Sequence, residues 1–161
     1  MDAIHFVCPG KPLTWQRAQR GRYGSTYTPA DRESKMSEVR DSWRALGVEP
    51  FPKDVDLALS VAVFCIRPES HFRTNGELKP WALTARPRSG TNGGDVSNFI
   101  KLIEDALNLV AYYDDTQIVE YREPMGKWFT PWGEMPRTEV TLTPVTHLAK
   151  RPETPQLALV A

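Results

Sequence analysis

Histidine and cysteine are scarce in this chain of 161 residues, and their scarcity narrows its chemistry. The three histidines, His5, His71 and His147, lie far apart and show no zinc-ligand spacing. The two cysteines, Cys8 and Cys65, sit in apolar strand-like runs, which suits buried free thiols rather than a disulfide framework. No run of about 18 apolar residues is present, so no membrane partner is expected. The opening MDAIHFVC carries an acid where a signal peptide is basic, and a cytoplasmic location is the expectation. Net charge is also absent, with 20 basic residues against 20 acidic ones. Its distribution is uneven. Lys11 to Arg40 holds seven basic and three acidic residues, and Arg67 to Arg88 five and two. Lys101 to Glu123 reverses the balance, with two basic and six acidic. Basic flanks around an acidic centre suit a polyanion bound beside a cation, or an ordinary solvated surface.

Periodicity supplies the elements. Ile4, Phe6 and Cys8 alternate with His5 and Val7, the pattern of a first strand. A basic, aromatic stretch, WQRAQRGRYGSTY, follows as a loop or hairpin. Thr28 and Pro29 then suit the start of a helix carrying Met36, Val39, Trp43 and Leu46 at helical spacing, and Gly47 suits its end. Val55 to Ile66 is apolar on both alternating faces, which predicts a central strand covered on both sides. A long polar loop, Arg67 to Gly94, precedes a second helix. The apolar stripe of that helix is Val96, Phe99, Ile100, Ile103, Ala106, Leu107 and Val110, and Lys101, Glu104, Asp105 and Asn108 take its other face. QIVEYREP and TEVTLTPV read as two further strands. The predicted fold is α+β: one small mixed sheet of about four strands packed with two helices. A single domain over residues 1–147 and a flexible tail over 148–161 are expected.

Acidic residues bracket the second helix. Asp95 stands at its start, and Asp114 and Asp115 on the return loop after it. Each has a structural use, Asp95 as a helix cap and the pair as turn residues. Taken together, they predict carboxylates that converge at one edge of the sheet on Mg²⁺, which takes a few hard oxygens and keeps several waters. Ser97 and Lys101, four apart, share a helical face, and the lysine suits a phosphate or a developing charge.

GDVSNFIKLIEDALNLVAYYDDTQIVEY resembles the signature of the RusA-like Holliday junction resolvases, endonucleases common in phages and prophages. The N-terminal FVCPGKPLTWQRAQRGRYGSTYTPADRE is similar to the same family's opening block, and the resemblance spans about residues 4 to 145. It implies a homodimeric, Mg²⁺-dependent endodeoxyribonuclease, with Mn²⁺ as a substitute ion, that resolves four-way DNA junctions in recombination and repair and leaves 5′-phosphate ends. It assigns Asp95, Asp115 and Lys101 as catalytic, and Asp95, Asp114, Asp115 and Ser97 as the metal set. Asn98 and Asp105 match recurrent positions. Ser97 is a departure: the family usually places a second aspartate there, so this site has one negative charge fewer. The alternative is a protein that binds branched DNA but cuts it weakly or not at all. Arg17, Arg20 and Arg22, among Trp15 and Tyr23, are the main candidate DNA contacts, followed by His71, Arg73 and Lys79 in the long loop. Trp81, Trp128 and Trp132 suit stacking on unpaired bases or packing within the protein.

Overall fold

The computed structural model describes residues 2–12, 19–20, 26–27, 30–88, 94–131 and 133–145. Strands β1 (Ile4–Pro9), β4 (Leu57–Cys65), β5 (Ile118–Phe129) and β6 (Arg137–Pro144) form one mixed sheet in the order β1-β6-β4-β5. Two short strands, β2 (Gln19–Arg20) and β3 (Thr26–Tyr27), pair antiparallel with each other. Helices α1 (Ala30–Arg44) and α2 (Val96–Leu107) complete the expected α+β architecture. The 148–161 segment lies outside the described residues.

Both helices pack on one face of the sheet. In β4, Leu57, Leu59, Val61, Val63 and Cys65 join one buried cluster with Phe6 and Cys8 of β1 and with Val140 and Leu142 of β6. That cluster takes Met36, Val39 and Trp43 from α1, and Phe99, Leu102, Ile103, Ala106 and Leu107 from α2. The alternate residues of β4, Ala58, Ser60 and Ala62, are buried but lie outside this cluster. Double-sided burial was therefore a correct expectation for β4, but helices supply it on one side only. Small side chains on a strand flanked by two neighbours are shielded without a second helical layer.

Helix α1 ends where its sequence changes. Gly47 has a φ of 64°, which glycine reaches without a Cβ penalty, and its N–H donates to the Arg44 carbonyl at 3.0 Å. Leu46 falls in this closing turn and is exposed, so it does not extend the buried stripe. Trp43 anchors the helix, edge-on to Phe6 at 5.8 Å and tilted against Phe51 at 6.1 Å. Buried Lys35 ties α1 to β1, donating to the Pro9 carbonyl at 3.2 Å while pairing with Glu38 at 2.6 Å.

The β4–α2–β5 unit positions the chemistry. Strands β4 and β5 run parallel, from Leu57 opposite Ile118 to Cys65 opposite Phe129. Helix α2 runs back between them, as a parallel crossover requires. Strand β5 lies at the sheet edge and runs past Pro124, further than QIVEYREP alone implies. Its register slips beside the proline: Leu59 faces Tyr121, but Val61 faces Met125. An edge strand tolerates proline at such an irregularity because its outer side needs no ladder partner.

Replacing Trp43 with Ala removes the ring shared by β1, α1 and Phe51. The expected loss is about 3–5 kcal/mol in urea unfolding. Burial pushes both thiols above the ordinary cysteine range. Cys8 and Cys65 are therefore expected to resist alkylation at neutral pH in the native protein and to react on unfolding, as mass spectrometry would record.

Candidate active site

At the N-terminal end of α2, Asp95 occupies the cap position with extended backbone, φ −78° and ψ 152°. Its carboxylate is exposed and does not cap the helix, so the structural explanation for this aspartate does not apply. The backbone entering the helix is tied to β5. Buried Lys127 donates its Nζ to the Gly94 carbonyl at 2.6 Å and lies 5.9 Å from the centre of the Phe99 ring. Arg86 in turn donates to the Lys127 carbonyl at 3.0 Å and sits 4.6 Å over Trp128, which stacks on Phe64. Trp128 thus packs within the protein, while Trp81 is exposed and Trp132 lies outside the described residues.

Along α2, Ser97, Lys101, Glu104 and Asn108 recur at helical spacing on one stripe. Ser97 and Lys101 are exposed, and Glu104 and Asn108 are half-buried. Tyr121 donates its hydroxyl to Glu104 Oε1 at 2.6 Å, and Tyr112 donates to the Glu104 backbone carbonyl at 3.0 Å. Burial, together with the charges of Asp105 and Asp115, raises the Glu104 carboxyl above its ordinary value, against the opposing effects of the Tyr121 hydrogen bond and Lys101. The bond to Glu104 is the main cause that pushes the Tyr121 phenol up to about 12. The side-chain oxygen of Asn108 is buried and has no hydrogen-bond partner among the described residues. Neighbouring Asp105 pairs with Arg32 at 2.8 Å and so fastens α2 to α1.

Beyond α2, Asp114 and Asp115 stand on a tight turn built around Gln117. The Asp114 carboxylate accepts from the Thr116 N–H at 2.9 Å and from its hydroxyl at 2.6 Å, which holds its pKa below the usual value. Buried Gln117 accepts from the Tyr113 and Asp114 N–H groups at 2.8 and 3.3 Å. Its amide donates to the Pro52 and Val55 carbonyls at 2.8 and 3.0 Å. Gln117 thereby fixes the acidic turn to the segment that feeds β4. Asp115 follows in a one-turn 3₁₀ helix (Asp115–Gln117), exposed, and its charge reaches Glu104.

The two acidic ends do not converge within one chain. Asp95 lies where β4 and β5 finish, and Asp115 lies where β5 begins beside Leu57. The 12 residues of α2 between them span about 18 Å. Among the described residues, no three His, Cys, Asp or Glu side chains gather closely enough to hold a metal ion. The candidate DNA contacts also divide. Arg17 and Arg22 lie outside the described residues, and for Arg20 only the β2 backbone is described. His71 is buried rather than presented to solvent, edge-on to Trp81 at 4.8 Å and Phe129 at 4.9 Å. Burial and the nearby charges of Arg67 and Lys79 lower its pKa, so it is a neutral packing residue, not a cationic DNA contact. Arg73 is exposed and pairs with Glu77 at 3.4 Å, and Lys79 donates to the Ser70 carbonyl at 2.8 Å. Both belong to the Asp95 end of the molecule. Sequence reasoning missed Glu104, Gln117 and Lys127 as site residues. Only Gln117 left a local signal, since its spacing after Asp114 matches a capping box.

Residues 9–143 match the family described as Endodeoxyribonuclease RusA. The chain belongs to the RusA endodeoxyribonuclease family, whose members are nucleases acting on branched DNA junctions. It is also similar to Uncharacterized protein YqaN of Bacillus subtilis (strain 168), at 27% identity over 149 residues that cover 91% of this chain and 99% of that protein. No helix among the described residues is long and apolar enough to cross a membrane.

Substituting Gln117 with Ala leaves two carbonyls and two N–H groups without their shared partner. A loss of about 3 kcal/mol is expected in chemical denaturation, with faster amide exchange at residues 113 and 114.

Proposed function

We propose that this protein is a metal-dependent endonuclease that nicks four-way DNA junctions as a homodimer, with each active site shared between two chains. The observation that carries this reading is that Asp95 and Asp115 lie towards opposite ends of the β4–α2–β5 unit. A rigid helix cannot bring its own ends together. A two-fold axis across α2 makes the two copies antiparallel and sets the N-terminal end of each beside the C-terminal end of the other. Asp95 of one copy then meets Asp114 and Asp115 of the second. Charge is compatible with the arrangement: the Asp95 end carries Arg67, Arg73, Lys79, Arg86 and Lys127 among Glu69, Glu77 and Glu123, and the opposite end carries Glu104, Asp105, Asp114 and Asp115 among Arg32 and Lys53. Exposed Leu109, Tyr113, Val119 and Tyr121 add apolar surface at the acidic end, along the open edge of β5.

The donor set fits a hard ion. Aspartate oxygens and the orphaned Asn108 oxygen are the ligand type that Mg²⁺ prefers and Mn²⁺ accepts. Such an ion, when bound, supplies an acidified water and charge neutralisation at the phosphate. The chain's own groups orient the rest. Asp95 and Asp115 hold the ion site between the copies, and Asp114 shapes the turn that presents Asp115. Lys101 places an exposed ammonium on the same helix face, where it offsets charge on the phosphate or the departing 3′ oxygen. In-line hydrolysis of that bond leaves a 5′-phosphate and a 3′-hydroxyl. The two sites of one dimer match the two symmetric nicks that junction resolution needs.

Complementation between inactive variants tests the shared site. Asp95→Asn and Asp115→Asn are each expected to bind a synthetic four-way junction and leave it uncut. Mixed after unfolding and refolding together, they form heterodimers in which one of the two sites has both native aspartates. Nicking is expected to return in the mixture. A mixture as inactive as its components, despite heterodimers seen by native mass spectrometry, would refute the shared site. Binding without nicking by the unsubstituted protein, in Mg²⁺ or Mn²⁺, would instead support the branched-DNA-binding alternative that Ser97 raises.

A further inference from the structure

The site described above lacks one negative charge, because Ser97 stands where the family signature has an aspartate. The same stripe of α2 carries a carboxylate that the signature does not require. Glu104 lies seven residues beyond Ser97, two helical turns along the same face, with Lys101 between them. It is half-buried at the Asp115 end, and the Tyr121 hydroxyl holds its Oε1 at 2.6 Å. A second tyrosine, Tyr112, fixes the backbone at the same residue. Its outward neighbour on the stripe, Asn108, keeps a buried side-chain oxygen without a hydrogen-bond partner among the described residues. A carboxylate held partly out of water beside other acids is unfavourable, and Lys101 one turn before it offsets this only in part. Antiparallel pairing of two α2 helices carries the Ser97 end of one copy towards the Glu104 end of the other, where the missing charge is needed.

We propose that Glu104 supplies the carboxylate that Ser97 does not, completing the divalent-ion site with Asp115 of its own chain and Asp95 of the second copy, while Tyr121 positions it. This inference rests on the metal-dependent reading above. It makes Glu104 an ion-binding residue particular to chains with a neutral residue at the Ser97 position, and it predicts that the two positions substitute for each other.

Calorimetric titration of the full-length protein with Mg²⁺, without DNA, tests this apart from cleavage. Glu104→Gln keeps the shape and can still accept from Tyr121, and it is expected to weaken Mg²⁺ binding tenfold or more, on the order seen for residues that support a metal site. Adding Ser97→Asp to Glu104→Gln is expected to recover most of that affinity, and Tyr121→Phe to lose less than Glu104→Gln. If Asp115→Asn abolishes binding while Glu104→Gln leaves it unchanged, this inference fails and the metal-dependent reading stands. If the unsubstituted protein binds neither Mg²⁺ nor Mn²⁺, both fail. A measurement on the native chain guards against misfolding of the variant. Mn²⁺ is expected to broaden the Glu104 carboxylate and Tyr121 ring resonances at low occupancy, and sharp signals there would overturn the assignment.

Discussion

A helix is a spacer of fixed length, and the site depends on that stiffness. Helix α2, about 18 Å long, runs between the Asp95 end of the β4–α2–β5 unit and the Asp115 end. The parallel pairing of β4 with β5 makes the separation unavoidable, because a crossover helix always returns the chain to the opposite end of the sheet. Chemistry that needs both aspartates on one ion therefore needs a second copy of the chain. Under the proposed shared site, assembly is a condition of the reaction, and an isolated chain holding half of each site would not cut DNA.

Two buried polar side chains hold the ends of this spacer in place. Lys127 bonds the carbonyl of Gly94 just before α2, and Gln117 bonds four backbone groups around the turn after it. Both side chains bond backbone, whose position follows the sheet, and among the described residues neither bonds an acidic side chain. Loops are ordinarily the loosest parts of a domain, yet these two are tied to β5 and to the approach to β4. The arrangement leaves the Asp95 carboxylate uncommitted to helix capping, and it commits Asp114 to a cap so that Asp115 faces outward.

Much of the fold was legible because it follows local periodicity. Phe6 and Cys8 alternate inward, Met36, Val39 and Trp43 line one helical stripe, and Phe99, Ile103, Ala106 and Leu107 line another. Leu102 joined the buried set unannounced, because a helix caught between a sheet and a second helix buries a wider arc than one stripe. The long loop concealed more. His71 lies in a stretch with no period, and its burial against Phe129 comes from a strand almost sixty residues later, so its polar neighbours suggested a DNA contact. The convergence of the aspartates was misjudged differently. Two loops flanking one helix are near in sequence, yet the direction of the strands decides which end of the sheet each occupies. The parallel pairing of β5 with β4 places Asp115 where β5 begins and Asp95 where it finishes.

Zero net charge also acquires a meaning once the fold is known. The basic block from Arg67 to Arg88 lies towards the end where β4 and β5 finish, and Glu104, Asp105, Asp114 and Asp115 lie towards the other, although Glu123 beside Arg86 and Arg32 on Asp105 cross that division. Attraction between unlike ends favours an antiparallel pair over a parallel one, in which like ends would meet. In the proposed dimer, closing the pair would bring the acids of one copy beside cations of the other and lower the repulsion among Glu104, Asp105 and Asp115. Burial first, and then the charges of Asp105 and Asp115, raise the Glu104 carboxyl in the single chain. A cation arriving between the copies would lower it further. In the proposed dimer, the same charges would favour both the antiparallel orientation and a cation at the shared site, and DNA phosphates would meet the basic side chains on either side of it.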